Sequence, residues 1–319
     1  MTKMIAQRVA FGETLTELAP QHPRLVVLDG DLGTSTRVDI FAEAYPDRFF
    51  QMGIAEQNMF GVAAGLATVG FIPLISTFAC FAAKRALDQI RVVIAQPKLN
   101  VKFIGAFSGL LTGKTGKTHQ SIQDIAVFRA MPNVVSISPV DATEVRKSLP
   151  VILAHDGPVY LRLTRDPCPV ILPEDYKFVI GRAVVLRAGN EVTLIGTGQQ
   201  SQRCLEAADI LAEDGIQAHV LHVPTLKPLD EGAIVQAAAR TGLVVTAEEH
   251  SIIGGLGGAV AEVLAEQYPV PMKRIGLRDT FGESGPNEAL LEKYGLGPKQ
   301  VAQAAREILK SRTNRPMGS

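Results

Sequence analysis

Short apolar runs alternate with longer segments that have one apolar face along most of the chain. Residues 25–28, Leu-Val-Val-Leu, show no polar alternation, which is typical of a parallel strand buried on both faces. The same criteria predict further strands at 49–51, 72–77, 101–106, 134–138 and 159–163, and helices at 4–19, 59–69, 78–95, 121–131 and 141–154. This alternation predicts the α/β class with a mainly parallel sheet.

The pattern changes at a proline-rich stretch and then starts again. Residues 167–173 contain three prolines, and we interpret 167–180 as an extended linker. Beyond it, strands are predicted at 192–195, 218–221, 244–246 and 272–275, and helices near 200–214, 230–240, 255–268 and 298–311. We therefore predict two three-layer α/β/α domains, a larger one at 1–166 and a smaller one at 181–312. The polar end at 313–319 is expected to be disordered.

A single acid, Glu56, lies where the strand at 49–51 passes into the helix at 59–69. The positive end of the helix dipole favours an ionised carboxylate in or just before the first helical turn. Acids are common in first turns, so a purely stabilising role is the more frequent one for such a residue. The chemistry of Glu56 alone does not decide between that role and a catalytic one.

Other candidate residues each have an ordinary structural alternative. Asp31 follows the 25–28 strand, where an open α/β sheet binds ligands or simply turns. Phe78 and Phe81 share one helical face, a spacing more common in cores than in cofactor sites. His119 ends a polar, glycine-rich loop, where a histidine more often caps a helix or faces solvent.

Some motifs in the chain are excluded by their spacing. Gly116-Lys117-Thr118 would belong to a phosphate-binding loop only with glycine at position 111, which is Leu111. Gly196-Thr197-Gly198 lacks the third glycine of a dinucleotide-binding turn. His219 and His222 alternate along one predicted strand, and both are interpreted as structural.

Composition and charge limit the kinds of protein that this chain can be. The 319 residues are 46% hydrophobic and 20% charged with a formal net charge of zero, so a large core is possible and no basic tract favours nucleic acid. No apolar run reaches the roughly 18 residues of a membrane span. Three cysteines without a C-x-x-C pair fit a reducing compartment. We expect a cytoplasmic protein without a signal peptide.

The residues Gly53-Ile54-Ala55-Glu56-Gln57 resemble a signature of the pyrimidine-binding domain in thiamine-diphosphate enzymes of the transketolase group. Further matching segments are 29–32, 76–78, 118–120, 128–134, 160–165 and 280–285. Over residues 5–310 the chain is similar to the second half of a transketolase. The resemblance implies that the first domain binds the pyrimidine ring of thiamine diphosphate and that the second is the transketolase C-terminal domain.

The resemblance also implies a role for each candidate residue. Glu56 would hydrogen-bond the cofactor's aminopyrimidine ring, a catalytic task that needs a carboxyl group in a water-poor cleft. Phe78 and Phe81 would form the wall on which that ring stacks, and Asp31 would line the cofactor cleft. His119 would be catalytic and contact the substrate. The positions that match those holding a substrate phosphate are Arg8, Ser35 and Arg165, where arginine can pair two oxygens at once.

Two positions depart from the family pattern. Thr115 stands where members often carry an aspartate that contacts a substrate hydroxyl, and Phe107 stands where a histidine often helps to bind phosphate. The donor or acceptor sugar is therefore expected to be unusual, and the sequence does not identify it.

The family's metal motif, G-D-G followed about two dozen residues later by Asn, is missing from this sequence. We predict no metal ligand here. Mg²⁺ and the diphosphate would then be held by an N-terminal partner subunit, in an α₂β₂ assembly with the cofactor between unlike chains.

The predicted activity is transfer of a two-carbon ketol unit from a ketose or its phosphate to an aldose or its phosphate, without nucleic-acid or membrane partners. Two other enzymes remain as alternatives, namely half of a 1-deoxy-xylulose-5-phosphate synthase and the beta subunit of a 2-oxo acid dehydrogenase. A non-catalytic regulatory relative is a further class, although Glu56, Phe78 and His119 together argue against it.

Overall fold

The structure, a computed structural model, describes residues 3–313. Its strands are β1 Met4–Ala6, β2 Leu25–Asp29, β3 Phe49–Gln51, β4 Ile72–Phe78, β5 Lys102–Ala106, β6 Val135–Ile137, β7 Val159–Arg162, β8 Pro167–Pro169, β9 Val184–Arg187, β10 Val192–Gly196, β11 Ala218–His222, β12 Thr225–Lys227, β13 Val244–Ser251 and β14 Met272–Leu277. Its helices are α1 Gln7–Leu18, α2 Gly33–Thr36, α3 Asp39–Ala44, α4 Glu56–Thr68, α5 Ala79–Lys84, α6 Leu87–Gln89, α7 Asp124–Ala130, α8 Ala142–Ala154, α9 Gln200–Glu213, α10 Glu231–Thr241, α11 Leu256–Gln267, α12 Asn287–Lys293 and α13 Pro298–Thr313. A π-helical turn, Ile90–Ala95, continues α6.

Six strands of the first half of the chain and β12 from the second half form a seven-stranded sheet in the order β12-β6-β7-β5-β4-β2-β3. All neighbours are parallel except β12, which runs antiparallel to β6. Because parallel strands end at one edge, Asp29, Phe78 and Ala106 lie together at the carboxyl ends of β2, β4 and β5. This edge is where an open α/β sheet leaves room for a ligand.

Both faces of this sheet are covered, which explains its apolar strands. Val27 and Leu74 pack on one face with α1 and α8, while Leu28 and Ile75 pack on the other with α4 and α5. Side chains that alternate along a strand thus enter two separate cores. The predicted three-layer arrangement is confirmed.

The second half forms a five-stranded sheet in the order β14-β13-β10-β11-β9, parallel except for β9. Helices α9 and α13 contribute to the core on one face, and α10 and α11 to the core on the other. The fold class predicted from the sequence, two α/β/α units with mainly parallel sheets, is confirmed.

Some predicted elements are wrong at their ends. Residues 4–6 of the helix predicted at 4–19 form β1, which pairs antiparallel with β8, so that Met4 lies opposite Pro169. The segment interpreted as a linker therefore contains a strand. The helix predicted at 78–95 is three pieces, and the helix predicted at 121–131 begins only at Asp124. Strands β9 and β12 and helices α2, α3 and α12 were not predicted.

Helix α13 reaches Thr313, and the rest of the tail predicted to be disordered lies outside the described residues. Among residues 3–313, no helix combines the length and hydropathy that crossing a bilayer requires.

Candidate active site

Glu56 is the first residue of α4, and its side chain is only 4% exposed. Its Oε1 lies 2.8 Å from Nη1 of Arg85, which follows α5. We find no second side-chain hydrogen bond to Glu56 among residues 3–313, so Oε2 is available to a ligand. The positive end of the α4 dipole and the Arg85 guanidinium both lie against this buried carboxyl group.

Three phenylalanines form a wall beside this ion pair. Phe78 ends β4, and its ring centroid lies 4.2 Å from that of Phe107 and 5.6 Å from that of Phe81. Both pairs are stacked, with interplanar angles of 23° and 29° respectively. The Arg85 guanidinium lies 3.8 Å from the Phe81 ring centroid. The wall is therefore continuous from the Glu56 end to Phe107.

His119 lies against this wall and is half-buried. Its ring meets Phe81 edge-on at 5.4 Å and Phe78 at 6.0 Å. Nδ1 lies 2.9 Å from the Thr118 hydroxyl, and no protein partner of Nε2 is found in the described part of the chain. One ring nitrogen is thus positioned by a neighbour while the other remains free, as a proton-transferring or substrate-binding histidine requires.

A pair of arginines lies at the far end of the wall, on Phe107. Their guanidinium carbons are 5.7 Å (Arg8) and 5.3 Å (Arg165) from the Phe107 ring centroid. Arg8 donates from Nε to the Arg165 carbonyl at 3.0 Å and from Nη1 to the Ser35 carbonyl at 2.8 Å. Burial and the neighbouring charge of Arg165 lower the pKa of Arg8. Such close like charges favour an anionic ligand.

Arg165, the second arginine of the pair, makes fewer hydrogen bonds than Arg8. Arg165 donates from Nη1 to the Thr112 carbonyl at 3.2 Å, and its buried Nε has no hydrogen-bond partner among the described residues. The nearest carboxylate oxygen, on Asp166, is 3.9 Å from that Nε. A cavity of about 550 Å³ opens beside Arg165 and is also lined by Lys114 and Thr115. Its lining also includes the acids Asp166 and Glu288, which offset the charges of Arg165 and Lys114, so the size of the cavity and not its net charge is what suits a phosphate-bearing substrate.

Asp31 stands apart from the other predicted site residues. It is exposed, has a φ of 65°, and its N–H donates to Gln51 Oε1 at 3.0 Å. The buried acid of this turn is Asp29, whose Oδ2 accepts from Gln51 Nε2 at 2.8 Å, and burial raises the pKa of Asp29. Asp29 therefore holds the turn, a role the sequence analysis did not assign to it.

The loop that carries His119 is fastened by the second half of the chain. Glu249 Oε1 accepts from the backbone N–H groups of Leu110 and Leu111 at 2.9 Å and 2.8 Å. Gln120 Nε2 donates to the Glu283 carbonyl at 2.9 Å, and the Ser284 hydroxyl donates to the Lys114 carbonyl at 2.6 Å. The site is thus built at the junction of the two units.

Comparison with known proteins identifies the two units. Residues 3–169 match the family described as "Transketolase, pyrimidine binding domain", and residues 181–301 match "Transketolase, C-terminal domain". The chain belongs to the transketolase family.

Similar family members include separate subunits. The chain is 45% identical over 301 residues to "6-deoxy-6-sulfo-D-fructose transketolase subunit SqwH" of Clostridium sp. (strain MSTE9), with 94% of each chain covered. It is 44% identical over 306 residues to "Putative transketolase C-terminal section" of Methanocaldococcus jannaschii, covering 95% of this chain and 96% of that one. A solved structure titled "Split gene transketolase, inactive beta4 tetramer" superposes with a TM-score of 0.90 at 49% identity, covering 96% of this chain and 99% of that chain.

Membership of the transketolase family implies dependence on thiamine diphosphate. The residues present fit the pyrimidine end of that cofactor, because a buried carboxylate with one free oxygen lies beside an aromatic wall. Of the residues predicted for the site, the structure brings together Glu56, Phe78, Phe81 and His119 in one cluster and Arg8, Ser35 and Arg165 in another.

The sequence analysis missed Arg85. Its position contained a usable signal, because it follows Phe81 by four residues, which places both side chains on one helical face. Only the fold shows that this face turns toward Glu56.

Proposed function

We propose that this transketolase-family chain is the C-terminal subunit of a split transketolase. With its partner it transfers a two-carbon ketol unit from a ketose or ketose phosphate to an aldose or aldose phosphate. The observation that carries the proposal is Glu56, buried at a helix start with Oε2 free beside the wall of Phe78 and Phe81. We also propose the domain division 1–166, linker 167–180 and 181–312.

Thiamine diphosphate, when bound, supplies the carbon nucleophile that accepts and releases the ketol unit. Glu56 would hold the pyrimidine ring through a charge-assisted hydrogen bond, with Arg85 keeping the other carboxylate oxygen in place. Phe78 and Phe81 would orient the ring by stacking and would exclude water from the carboxylate. Asp31 contributes to the rim of the cofactor cleft through the turn that Asp29 and Gln51 hold.

His119 and the arginine pair act on the sugar. His119 Nε2, which has no partner among residues 3–313, would exchange a hydrogen bond or proton with a substrate oxygen. Arg8 and Arg165 anchor the anionic end of the substrate, with Ser35 beside them. Phe107 sets the spacing between the two groups because it stacks on Phe78 and lies under both guanidinium groups.

The remaining half of the site is proposed to come from an N-terminal transketolase subunit that holds the diphosphate and Mg²⁺. Two facts support this. The family's metal motif is missing from this sequence, and similar proteins are named as a transketolase subunit and as a transketolase C-terminal section. An α₂β₂ assembly in the cytoplasm is the arrangement we propose.

The test is ketol transfer by this chain mixed with the N-terminal subunit, using a ketose phosphate donor and an aldose phosphate acceptor. Glu56→Gln should reduce turnover by at least about a hundredfold, because a neutral amide cannot supply the charge-assisted bond. Glu17→Gln makes the same chemical change at an exposed position and should leave turnover unchanged. Gel filtration should show the same assembly for both variants. Turnover by Glu56→Gln close to that of the control would overturn the proposed role.

A further inference from the structure

A cavity of about 410 Å³ lies in the second half of the chain, between β9, β11 and α10. None of its lining residues belongs to the candidate active site. We propose that this cavity binds a small molecule that carries a carboxylate or phosphate group on a flat apolar body.

The apolar part of the cavity arises where a short edge strand is left uncovered. β9 pairs with β11 at the end of the sheet, with Val185 opposite Leu221. Helix α10 packs against β10 and β11, and Val185 stays 55% exposed beside the small side chains of Ala233 and Ala237. These side chains form a surface against which a flat apolar group can pack.

His219 lines the cavity from β11. The residue is 5% exposed, yet its Nδ1 has no hydrogen-bond partner among the described residues. His222, on the same strand, is fully paired, with Nδ1 2.6 Å from the Ser201 hydroxyl and Nε2 2.7 Å from Glu144 Oε2. Because Nδ1 is closed off from the cavity as well as from solvent, His219 contributes packing surface to the cavity wall and no ligand contact through this nitrogen.

Two arginines give the cavity its charge. Arg240 donates from Nε to the Gly189 carbonyl at 2.6 Å, which positions the guanidinium while its two terminal nitrogens stay unpaired within the described chain. Arg182, which is exposed, makes no side-chain hydrogen bond or ion pair with any of residues 3–313. Because a guanidinium presents several donors in one plane, two of them favour a carboxylate or phosphate.

Asp230 is the acidic residue that lines the cavity, and it does not remove the preference for an anionic ligand. Asp230 accepts the Ala233 N–H on Oδ1 at 3.1 Å and the Ala183 N–H on Oδ2 at 2.9 Å, so both of its oxygens are already used. The arginines also disfavour a metal cation. Size, apolar surface and unpaired donors together point to an anionic small molecule.

The test uses the full chain and isothermal titration calorimetry with three probes. AMP has a phosphate on a flat body, benzoate has a carboxylate on a flat body, and adenosine has the flat body of AMP without the charge. We expect saturable binding of AMP or benzoate, and adenosine binding at least about tenfold weaker than AMP if AMP is the ligand class bound. Binding of benzoate alone would assign the carboxylate class, and binding of AMP the phosphate class.

Variants locate the binding. Arg182→Ala and Arg240→Ala should each weaken binding by roughly tenfold, the usual effect of losing one charge-assisted contact. Arg24→Ala, at an exposed arginine that lines neither this cavity nor the one beside Arg165, is the matched control and should leave the affinity unchanged. Arg165→Ala reports separately on anion binding at the candidate active site.

Each remaining outcome overturns the proposal. The first is that neither AMP nor benzoate binds at millimolar concentration. The second is that AMP binds but adenosine binds equally tightly. The third is that Arg165→Ala loses affinity while Arg182→Ala and Arg240→Ala do not. Because this test needs neither the partner subunit nor turnover, its failure is distinguishable from failure of the proposed transketolase activity.

Discussion

Arg85 and Glu56 form the ion pair at the centre of the candidate active site, with 2.8 Å between Nη1 and Oε1. The carboxylate is 4% exposed and the arginine side chain 47%, so a surface cation partners a buried anion. The same guanidinium lies over Phe81. One arginine thus touches both the carboxylate and the aromatic wall, and it orients Glu56 without being part of the chemistry proposed for it.

Replacing Arg85 should therefore weaken cofactor binding. Arg85→Ala leaves a buried carboxylate without its cation, which costs about 1–3 kcal/mol, or roughly ten- to a hundredfold in affinity. We expect the thiamine diphosphate concentration for half-maximal activity to rise by that factor in the mixture with the N-terminal subunit. Arg91→Ala, at an exposed position, is the control. A fall in turnover with unchanged cofactor dependence would contradict a positioning role.

Phe107 is expected to govern how well phosphorylated sugars bind. Phe107→His keeps a flat ring between Phe78 and the two arginines and adds a hydrogen-bond donor near them. The KM for phosphorylated sugars should fall several-fold, by about 1 kcal/mol of added binding, while kcat stays similar. The matched measurement is the KM for the same sugar without its phosphate, which should not change. Equal changes for both sugars would contradict the assignment of this end of the wall to the anion.

The buried pair of Asp124 and Arg162 should be important for stability. Asp124 Oδ2 accepts from Arg162 Nε and from the Tyr160 hydroxyl, each at 2.7 Å. Burial opposes ionisation and is the largest single effect, but the charges of Arg162 and His250 and the hydrogen bonds from Tyr160 and Arg162 together outweigh it, so the pKa of Asp124 lies below its usual value. Asp124→Asn should lower the free energy of unfolding by about 3–5 kcal/mol, because Arg162 is left buried without a counter-charge.

Urea unfolding measures this effect, with Asp175→Asn at an exposed position as the control.

Arg162 also donates to the Glu249 carbonyl at 2.9 Å, which links the two units. We therefore expect the Asp124 variant to loosen that junction as well, seen as faster amide exchange at Leu110 and Leu111. Equal stability of the two variants would contradict this account.

The ionisation of Lys102 should make the free energy of unfolding depend on pH in the neutral to alkaline range. Its side chain is fully buried, and Nζ donates to the carbonyls of His155 at 2.6 Å and Gly157 at 2.8 Å. Burial lowers the pKa of Lys102 from its ordinary value of 10.5 to about 7. Between these values the unfolded chain binds a proton that the folded chain has lost, so stability rises with pH across this window.

The measurement is the free energy of unfolding at pH 7 and pH 9. From pH 7 to pH 9 the native protein should gain about 2 kcal/mol more than Lys102→Met, which lacks the titrating group. The same pH dependence in both proteins would show that Lys102 keeps an ordinary pKa.

The hydrophobic pattern of the sequence predicted those strands and helices that are determined by neighbouring residues. Apolar runs such as residues 25–28 predicted the buried parallel strands, and Glu56 was placed correctly at a helix start. Pairings between distant segments were not predicted, as with β12, which joins the first sheet from the second half of the chain. A three-residue strand has too little periodicity to identify it, and its partner is chosen by the packing of the whole chain.

The same limit applies to the candidate site. The motifs that carry Glu56, Phe78, Phe81 and His119 were visible because each is a short segment of sequence. The contact of Arg85 with Glu56 joins the residue after α5 to the start of α4. Asp29 is buried at the end of β2, whereas Asp31 is exposed in the turn that follows. Sequence alone placed an acid in that turn but could not tell which of the two is buried.

The measurement that tests the central claim most directly is a calorimetric titration of this chain with thiamine diphosphate and Mg²⁺, alone and mixed with the N-terminal subunit. If this chain holds only the pyrimidine end of the site, binding should appear in the mixture and be absent or far weaker with the chain alone. Glu56→Gln should reduce the binding in the mixture. Equally tight binding by the chain alone would mean that it contains a complete cofactor site, which contradicts the proposal of a split transketolase.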